Sequence, residues 1–209
     1  MFDFFTDGGP FMYVILLSSM GAMALFLERA YFLYFRLKLN TDQVFEKIHR
    51  HLKKTNYRNA IEECNKYITH PLGRTLKAGL INAGRRDKDI EQALQESLVR
   101  EIPAFKKRIN YLSMFANVAT LLGLLGTITG LIAAFGGVAN ANPTEKQAIL
   151  ASGISVAMLT TAFGLIAAIP SMMGFFLLNN KADAMIDSVE EKAMRLHNIL
   201  CSLKQPKAN

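Results

Sequence analysis

Along the chain, apolar residues gather into three stretches that hold almost no charge, Phe11 to Leu27, Ile109 to Thr144 and Ala148 to Asn180. Most of the charge falls in Arg36 to Arg108 and Lys181 to Asn209. A helix needs roughly 20 apolar residues to cross about 30 Å of hydrocarbon. The second and third stretches exceed that length, so their helices should project beyond the bilayer or enter it along protein-covered surface. The first is shorter and is expected to continue through Glu28 and Arg29 to about Phe35. Between the first two stretches the pattern changes to amphipathic helices. Thr41 is placed to cap a helix that buries Val44, Phe45, Ile48 and Leu52, and a second runs through Tyr57, Ala60, Ile61, Cys64 and Ile68. Pro71 and Gly73 punctuate the chain after it. Asp87 opens a third pattern through Ile90, Leu94, Leu98, Ile102 and Phe105 that runs into the second stretch, with a kink expected at Pro103. Beyond the third stretch, Met185, Val189, Ala193, Leu196, Leu200 and Leu203 form another apolar stripe. The expected fold is an all-α integral membrane protein with three transmembrane helices and long cytoplasmic helical extensions.

Charge sets the expected orientation. Residues 36–108 carry 17 Lys and Arg and the tail from Lys181 five more, while the Val138 to Gln147 connection has only Lys146. Positive residues stay inside. The N-terminus is therefore expected outside, residues 36–108 in the cytoplasm, the Asn140-Ala141-Asn142-Pro143 turn outside and the C-terminus inside. Met1 to Pro10 holds Asp3 and Asp7 and no Lys or Arg, which reads as the start of a retained span rather than a signal peptide. The division is residues 1–35 for the outer N-terminus and first span, 36–108 for a cytoplasmic helical region, 109–180 for the second and third spans, and 181–209 for a cytoplasmic helix and tail.

Composition removes several other classes. A net charge of +7 at mean hydropathy +0.18 suits a membrane protein better than a nucleic-acid binder, because the orientation rule already demands the basic excess and nine acids dilute it between 36 and 108. His49 and His51 are two residues apart and point to different sides of a helix, so no metal site is expected. Cys64 and Cys201 fall in the regions read as cytoplasmic and are expected reduced. Gly123-Leu-Leu-Gly126 lies within a span and lacks the Lys-Ser/Thr of a phosphate loop. No enzyme signature and no cofactor site is found.

The chemistry is concentrated in the spans. Ala116, Thr120, Gly123, Thr127, Gly130, Ala134 and Gly137 recur at intervals of four and three, as do Gly153, Ala157, Thr160, Gly164, Ala167, Ser171 and Gly174. Such stripes let helices approach closely. Thr120, Thr127, Thr129, Thr160 and Thr161 cluster near mid-span, where they bond their own backbone or line a wet cavity; spacing alone leaves both readings open. Glu28 beside Arg29 reads as an ion pair or interfacial anchor, with a proton-access role as the alternative.

Gly123-Leu-Leu-Gly-Thr-Ile-Thr-Gly130 and Gly153-Ile-Ser-Val-Ala-Met-Leu-Thr-Thr-Ala-Phe-Gly-Leu-Ile-Ala-Ala-Ile-Pro170 resemble the two signature spans of the MotA/TolQ/ExbB proton-channel family. The likeness covers about residues 70–180, including His70-Pro71-Leu72-Gly73, and three spans fit the ExbB/TolQ branch better than the four-span MotA branch. The resemblance implies a stator-like subunit of an inner-membrane motor that turns ion-motive force into movement of a partner. The implied assembly is a homopentameric ring around an ExbD/TolR-like dimeric single-span partner, working with a TonB/TolA-like protein. Thr127 and Thr161 match the family's pore threonines, with Thr160 and Thr120 beside them. Gly123, Gly126, Gly130, Gly153, Gly164 and Pro170 are helix-packing positions. One departure is Val156, which stands where ExbB and TolQ commonly carry an acid. Protons are the expected ion and sodium the alternative. TonB-dependent-type transport and Tol-type envelope maintenance are the implied tasks, against gliding, export or flagellar-type motors of the same family. A self-sufficient transporter or scaffold is the reading from a different class.

Overall fold

The computed structural model describes residues 10–139 and 141–204; Asp3, Asp7 and Asn140 lie outside them. Seven α-helices occur among the described residues, with no strand: α1 (Pro10–Tyr31), α2 (Thr41–Lys53), α3 (Tyr57–Lys66), α4 (Pro71–Ile81), α5 (Asp87–Lys106), α6 (Asn110–Ala139) and α7 (Lys146–Lys204). A π-helical turn, Phe32–Arg36, continues α1. Three helical segments are long and apolar enough to cross a membrane. The chain is an all-α membrane protein. The described residues divide into two compact units, one formed by residues 10–30, 108–139 and 141–178, the other by residues 31–107 and 179–204.

Local chemistry explains the ends of the elements in the second unit. Asn40, rather than Thr41, caps α2: its side-chain oxygen accepts a hydrogen bond from Gln43 N–H at 3.2 Å, leaving Thr41 as the first helical residue. Asn56 does the same for α3 through Asn59 N–H. Pro71 and Gly73, expected to interrupt the chain, instead open α4. Proline is pre-set for the first helical position, His70 Nδ1 accepts from Leu72 N–H at 3.1 Å, and a Cβ on Gly73 would strike the Tyr67 carbonyl group, its carbon 2.7 Å away. Ile68, assigned from its spacing to α3, lies beyond that helix and is exposed.

The break before the second span also differs from expectation. Pro103 is carried inside α5, and the helix stops only after Lys106. Arg108 then adopts φ 65°, a left-handed conformation that costs a residue with a Cβ of order 1–2 kcal/mol.

Val44, Phe45, Ile48 and Leu52 of α2 are buried as their spacing predicts, together with Leu72 and Leu76 of α4 and Ile90 and Leu94 of α5. The second part of α7 closes this core with Ala182, Ile186, Val189, Ala193, Leu196 and Leu200; Leu203, expected in the stripe, is exposed. Lys192 is almost fully buried and bonds Asp42 at 2.6 Å and Glu191 at 3.0 Å. Burial alone would pull its amine down, but the two carboxylates outweigh it and hold the amine above the usual lysine range. At His70, burial pushes the imidazole below its ordinary value. The stability contributed by its neutral, capping form is therefore complete above the ordinary histidine value and lost as the pH falls from there through the lowered value of the folded state.

Cys64 is fully buried, and desolvation, reinforced by the Glu63 carboxylate, pushes its thiol up to about 12. Cys201 is partly exposed. In the folded protein, a thiol reagent at neutral pH is expected to modify Cys201 while Cys64 reacts only after denaturation; mass spectrometry of labelled peptides reads the outcome. Equal labelling of both would contradict this packing. Topology labelling should accordingly use Cys201 or an introduced surface cysteine.

Candidate functional site

The first unit is built on the antiparallel pair α6 and the first part of α7. Gly123, Gly126, Gly130 and Ala134 of α6 meet Thr161, Gly164, Thr160, Ala157 and Gly153 of α7. At Gly164 an added Cβ would lie 2.8 Å from the Ala119 carbonyl oxygen and 3.1 Å from Gly123 Cα, so backbone meets backbone there. At Gly126 the obstacle is the Thr160 side chain, with Cβ 2.8 Å away. The seam on α6 runs through Ala116, Ala119, Gly123, Gly126 and Ala134, all buried. Thr120 and Thr127, part of the stripe expected from spacing, stand one step to the side and are partly exposed. On α7 Ala157, Thr160, Gly164 and Ala167 of the expected stripe are buried, while Gly153 and Ser171 are partly exposed.

α1 covers one edge of this pair. Ile15 packs with Ala116, Ala119, Ala167 and Ala168, flanked by Leu122, Phe163 and Met172. Gly21 meets the Phe115 ring, and Gly174 meets Phe26. Pro170, expected as a packing residue, is exposed, although it helps to line an apolar cavity of about 280 Å³ with Ser19, Ala22, Met23 and Phe26 of α1. At about 100° per residue, Phe115, Ala119 and Leu122 turn toward α1, whereas Thr120 and Thr127 turn to the other side of Gly123. The hydroxyl-bearing edge is thus the one α1 leaves open.

The five threonine hydroxyls of α6 and α7 each bond a backbone carbonyl. Thr120 Oγ1 donates to Ala116 O at 3.1 Å, Thr127 Oγ1 to Leu124 O at 2.6 Å and Thr160 Oγ1 to Val156 O at 2.8 Å. Thr129 Oγ1 donates to the carbonyls of Leu125 and Gly126. Thr161 is different. Its hydroxyl crosses the seam to Gly123 O at 3.1 Å, a bond that the absent Cβ of Gly123 makes reachable, since that Cβ would stand 3.3 Å from Thr161 Cα. In a regular helix the Gly123 carbonyl also accepts the Thr127 amide. Thr127 and Thr161 therefore meet at one carbonyl, with Thr120 one turn away on the same edge. Spacing could not show this junction, because the partners are 38 residues apart.

Glu28 is the only carboxylate near these spans that the sequence singled out, and it is already engaged. Its Oε1 accepts from Arg29 at 3.1 Å and from Arg108 at 3.0 Å. Arg29 is buried, while Glu28 and Arg108 are each about half exposed. Arg108 was not singled out from the sequence, since nothing local links it to a residue 80 positions earlier. The ion pair fastens the strained turn before α6 to the end of α1. No group of His, Cys, Asp and Glu among the described residues could hold a metal ion.

Comparison with known proteins agrees with these motifs. A family model described as the MotA/TolQ/ExbB proton channel family matches residues 66–191, from the end of α3 into the second part of α7. The chain is 31% identical over 185 residues to the ExbB-like 1 protein of Synechocystis sp., covering 85% of this chain and 70% of that protein. It is 26% identical over 189 residues to a biopolymer transport protein ExbB homolog of Methanothermobacter thermautotrophicus, covering 90% and 66%. It is 34% identical over 97 residues to the Tol-Pal system protein TolQ of Haemophilus influenzae, covering 46% and 42%. The chain thus spans about two thirds of the Methanothermobacter relative and less than half of the TolQ protein.

Proposed function

Because the chain belongs to the MotA/TolQ/ExbB proton channel family, and within it is of the ExbB/TolQ type, we propose that it is the stator-like channel subunit of an inner-membrane motor. In this reading a homopentamer encloses the single-span helices of a dimeric ExbD/TolR-like partner, and ion flow moves that partner. The work reaches an envelope process of the TonB-dependent transport or Tol maintenance kind. Protons are the proposed ion. Residues 36–108 and 181–209 lie on the cytoplasmic side and the connection near Asn142 outside, following the distribution of Lys and Arg.

The observation that carries the proposal is the open edge of the α6–α7 pair. It combines hydroxyls from both signature spans, Thr120, Thr127 and Thr161, on the side that α1 does not cover. A hydroxyl bonded to a carbonyl keeps its lone pairs available to a water or an acid on the open side. Such an edge suits a ring whose interior holds water and a partner's ionisable group.

Thr127→Val and Thr161→Val separate transport from packing. Valine keeps the shape and removes the hydroxyl. Thr161→Val gives up an interhelical bond, which in membranes contributes about 0.6 kcal/mol and at most about 1.7; Thr127→Val gives up only a bond within its own helix. The expected result is that Thr127→Val assembles at wild-type yield and thermal stability yet loses motor-dependent growth, and that Thr161→Val loses both growth and some stability. Full activity of Thr127→Val would leave the hydroxyls as packing groups alone.

A further inference from the structure

Helix-surface cations in the second unit are usually set one turn from a carboxylate: Arg58 with Glu62, Lys66 with Glu63, Arg86 with Asp89, Arg100 with Glu96 and Arg195 with Glu191. α2 departs from that arrangement in forming no such pair: Glu46 stands one turn before Arg50, yet no ion pair among the described residues joins them. Lys47, Arg50, His51 and Lys54 follow at i, i+3, i+4 and i+7, so they share one face of the helix and its end, and Lys53 joins Arg50 at i+3. Arg50, Lys53 and Lys54 are exposed, and none of the ion pairs among the described residues includes them. Like charges at this spacing repel.

Two ordinary explanations do not account for the cluster. Lysines near a helix C-terminus often satisfy the last carbonyls. Here the backbone does so itself: Lys54 N–H donates to His51 O, Thr55 N–H to Leu52 O at 2.8 Å and Asn56 N–H to His51 O at 3.1 Å. That closure holds Thr55, a β-branched residue, at φ 56°, a genuinely unfavourable conformation. The orientation rule asks for positive residues within the segment; it does not ask that they converge. Yet Lys66 of α3 faces the cations of α2 across an open hollow of about 610 Å³. Glu63, the one acid in its lining, is nearly buried and already bonded to Lys66. This volume falls in the range of small-molecule sites.

We propose that the hollow between α2 and α3 binds phosphate-bearing anions, through Arg50, Lys53 and Lys54 with Lys47 and Lys66 at its sides. Arginine supplies a planar fork for two phosphate oxygens and the lysines supply point charges. Lys47, Arg50, Lys53 and Lys54 precede the segment matched by the family model, which begins at Lys66, and none of these five belongs to the threonine edge on which the proposed channel activity rests. The phosphate belongs either to a lipid headgroup or to a soluble polyphosphate.

The full chain, purified in detergent, is titrated calorimetrically at low ionic strength with inorganic pyrophosphate and, separately, with dihexanoyl phosphatidic acid below its micelle concentration. Saturable binding of at least one is expected, weakening with added salt. The triple variant Arg50→Gln/Lys53→Gln/Lys54→Gln should bind about tenfold or more weakly through loss of its charge-assisted bonds. A control with the same change in net charge, Arg58→Gln/Arg86→Gln/Arg195→Gln, should stay within about twofold, since exposed pairs contribute little. Circular dichroism of both variants verifies that each is folded. Binding of the lipid without pyrophosphate identifies a headgroup site, and binding of pyrophosphate a site open to soluble anions. Saturable binding of neither compound, or equal weakening in both triple variants, overturns the proposal.

Discussion

Gly164→Ala is expected to pry apart the α6–α7 pair and abolish the proposed motor function, although it adds a single methyl group. The new Cβ would stand 2.8 Å from the Ala119 carbonyl oxygen and 3.1 Å from Gly123 Cα, both backbone atoms of the opposite helix. A side chain in that position could rotate away; a helix backbone can only move as a unit. Overpacking of this kind costs about 1–3 kcal/mol. The shift also reaches the junction at Gly123, whose carbonyl holds the Thr161 hydroxyl. Gly126→Ala meets the Thr160 side chain instead and is expected to be milder. Gly136→Ala has nothing within 4 Å and serves as the control. Thermal unfolding in detergent and complementation of motor-dependent growth should rank the three in the order Gly164, Gly126, Gly136. If Gly164→Ala matches Gly136→Ala in both measurements, the helix pair is looser than described.

That ranking depends on details of unequal visibility in the sequence. The spans are legible because burial in lipid demands long uncharged runs, and the small-residue stripes because two helices can approach closely only along a continuous row. The exact row on α6 is not. Thr120 and Thr127 fit the spacing as well as Ala119 and Gly126 do, and only the rotation of the helix against α7 selects the second pair for the seam. α4 escaped notice for a different reason. Proline and glycine within three residues read as an interruption, whereas Pro71 occupies a first-turn position and Gly73 admits the Tyr67 carbonyl. Similarly, Pro103 drew attention as the place for a break, while α5 accommodates it and the chain turns at Arg108. Bonds between distant residues, Thr161 to Gly123 and Arg108 to Glu28, have no local signature at all.

Liposomes that contain this chain alone are expected to show no more proton flux than protein-free liposomes, and flux is expected to appear only with the ExbD/TolR-like partner present. Between Ile109 and Thr144 and between Ala148 and Asn180 there is no Asp, Glu, His, Lys or Arg, and by the resemblance Val156 occupies the place where ExbB and TolQ commonly carry an acid. Hydroxyls pass a proton along but do not hold it, because their charge does not change at accessible pH. Controlled transfer needs a group that does, and a carboxyl in low dielectric can be raised into that range. Glu28 is already engaged, since its Oε1 accepts hydrogen bonds from both Arg29 and Arg108. The proposed mechanism therefore assigns the titrating group to an acidic residue of the partner's span, facing Thr127 and Thr161. One charge moved through 100 mV supplies about 2.3 kcal/mol, so the passage of a few protons can drive a sizeable displacement of the partner helices. Neutralising that partner carboxyl, Asp→Asn, should leave the complex assembled by mass measurement and abolish flux. Glu28→Gln should leave flux through the complex intact and lower stability slightly by releasing Arg108. Selective proton flux through the purified chain alone, unchanged by Glu28→Gln, would refute the assignment of the titrating group to the partner.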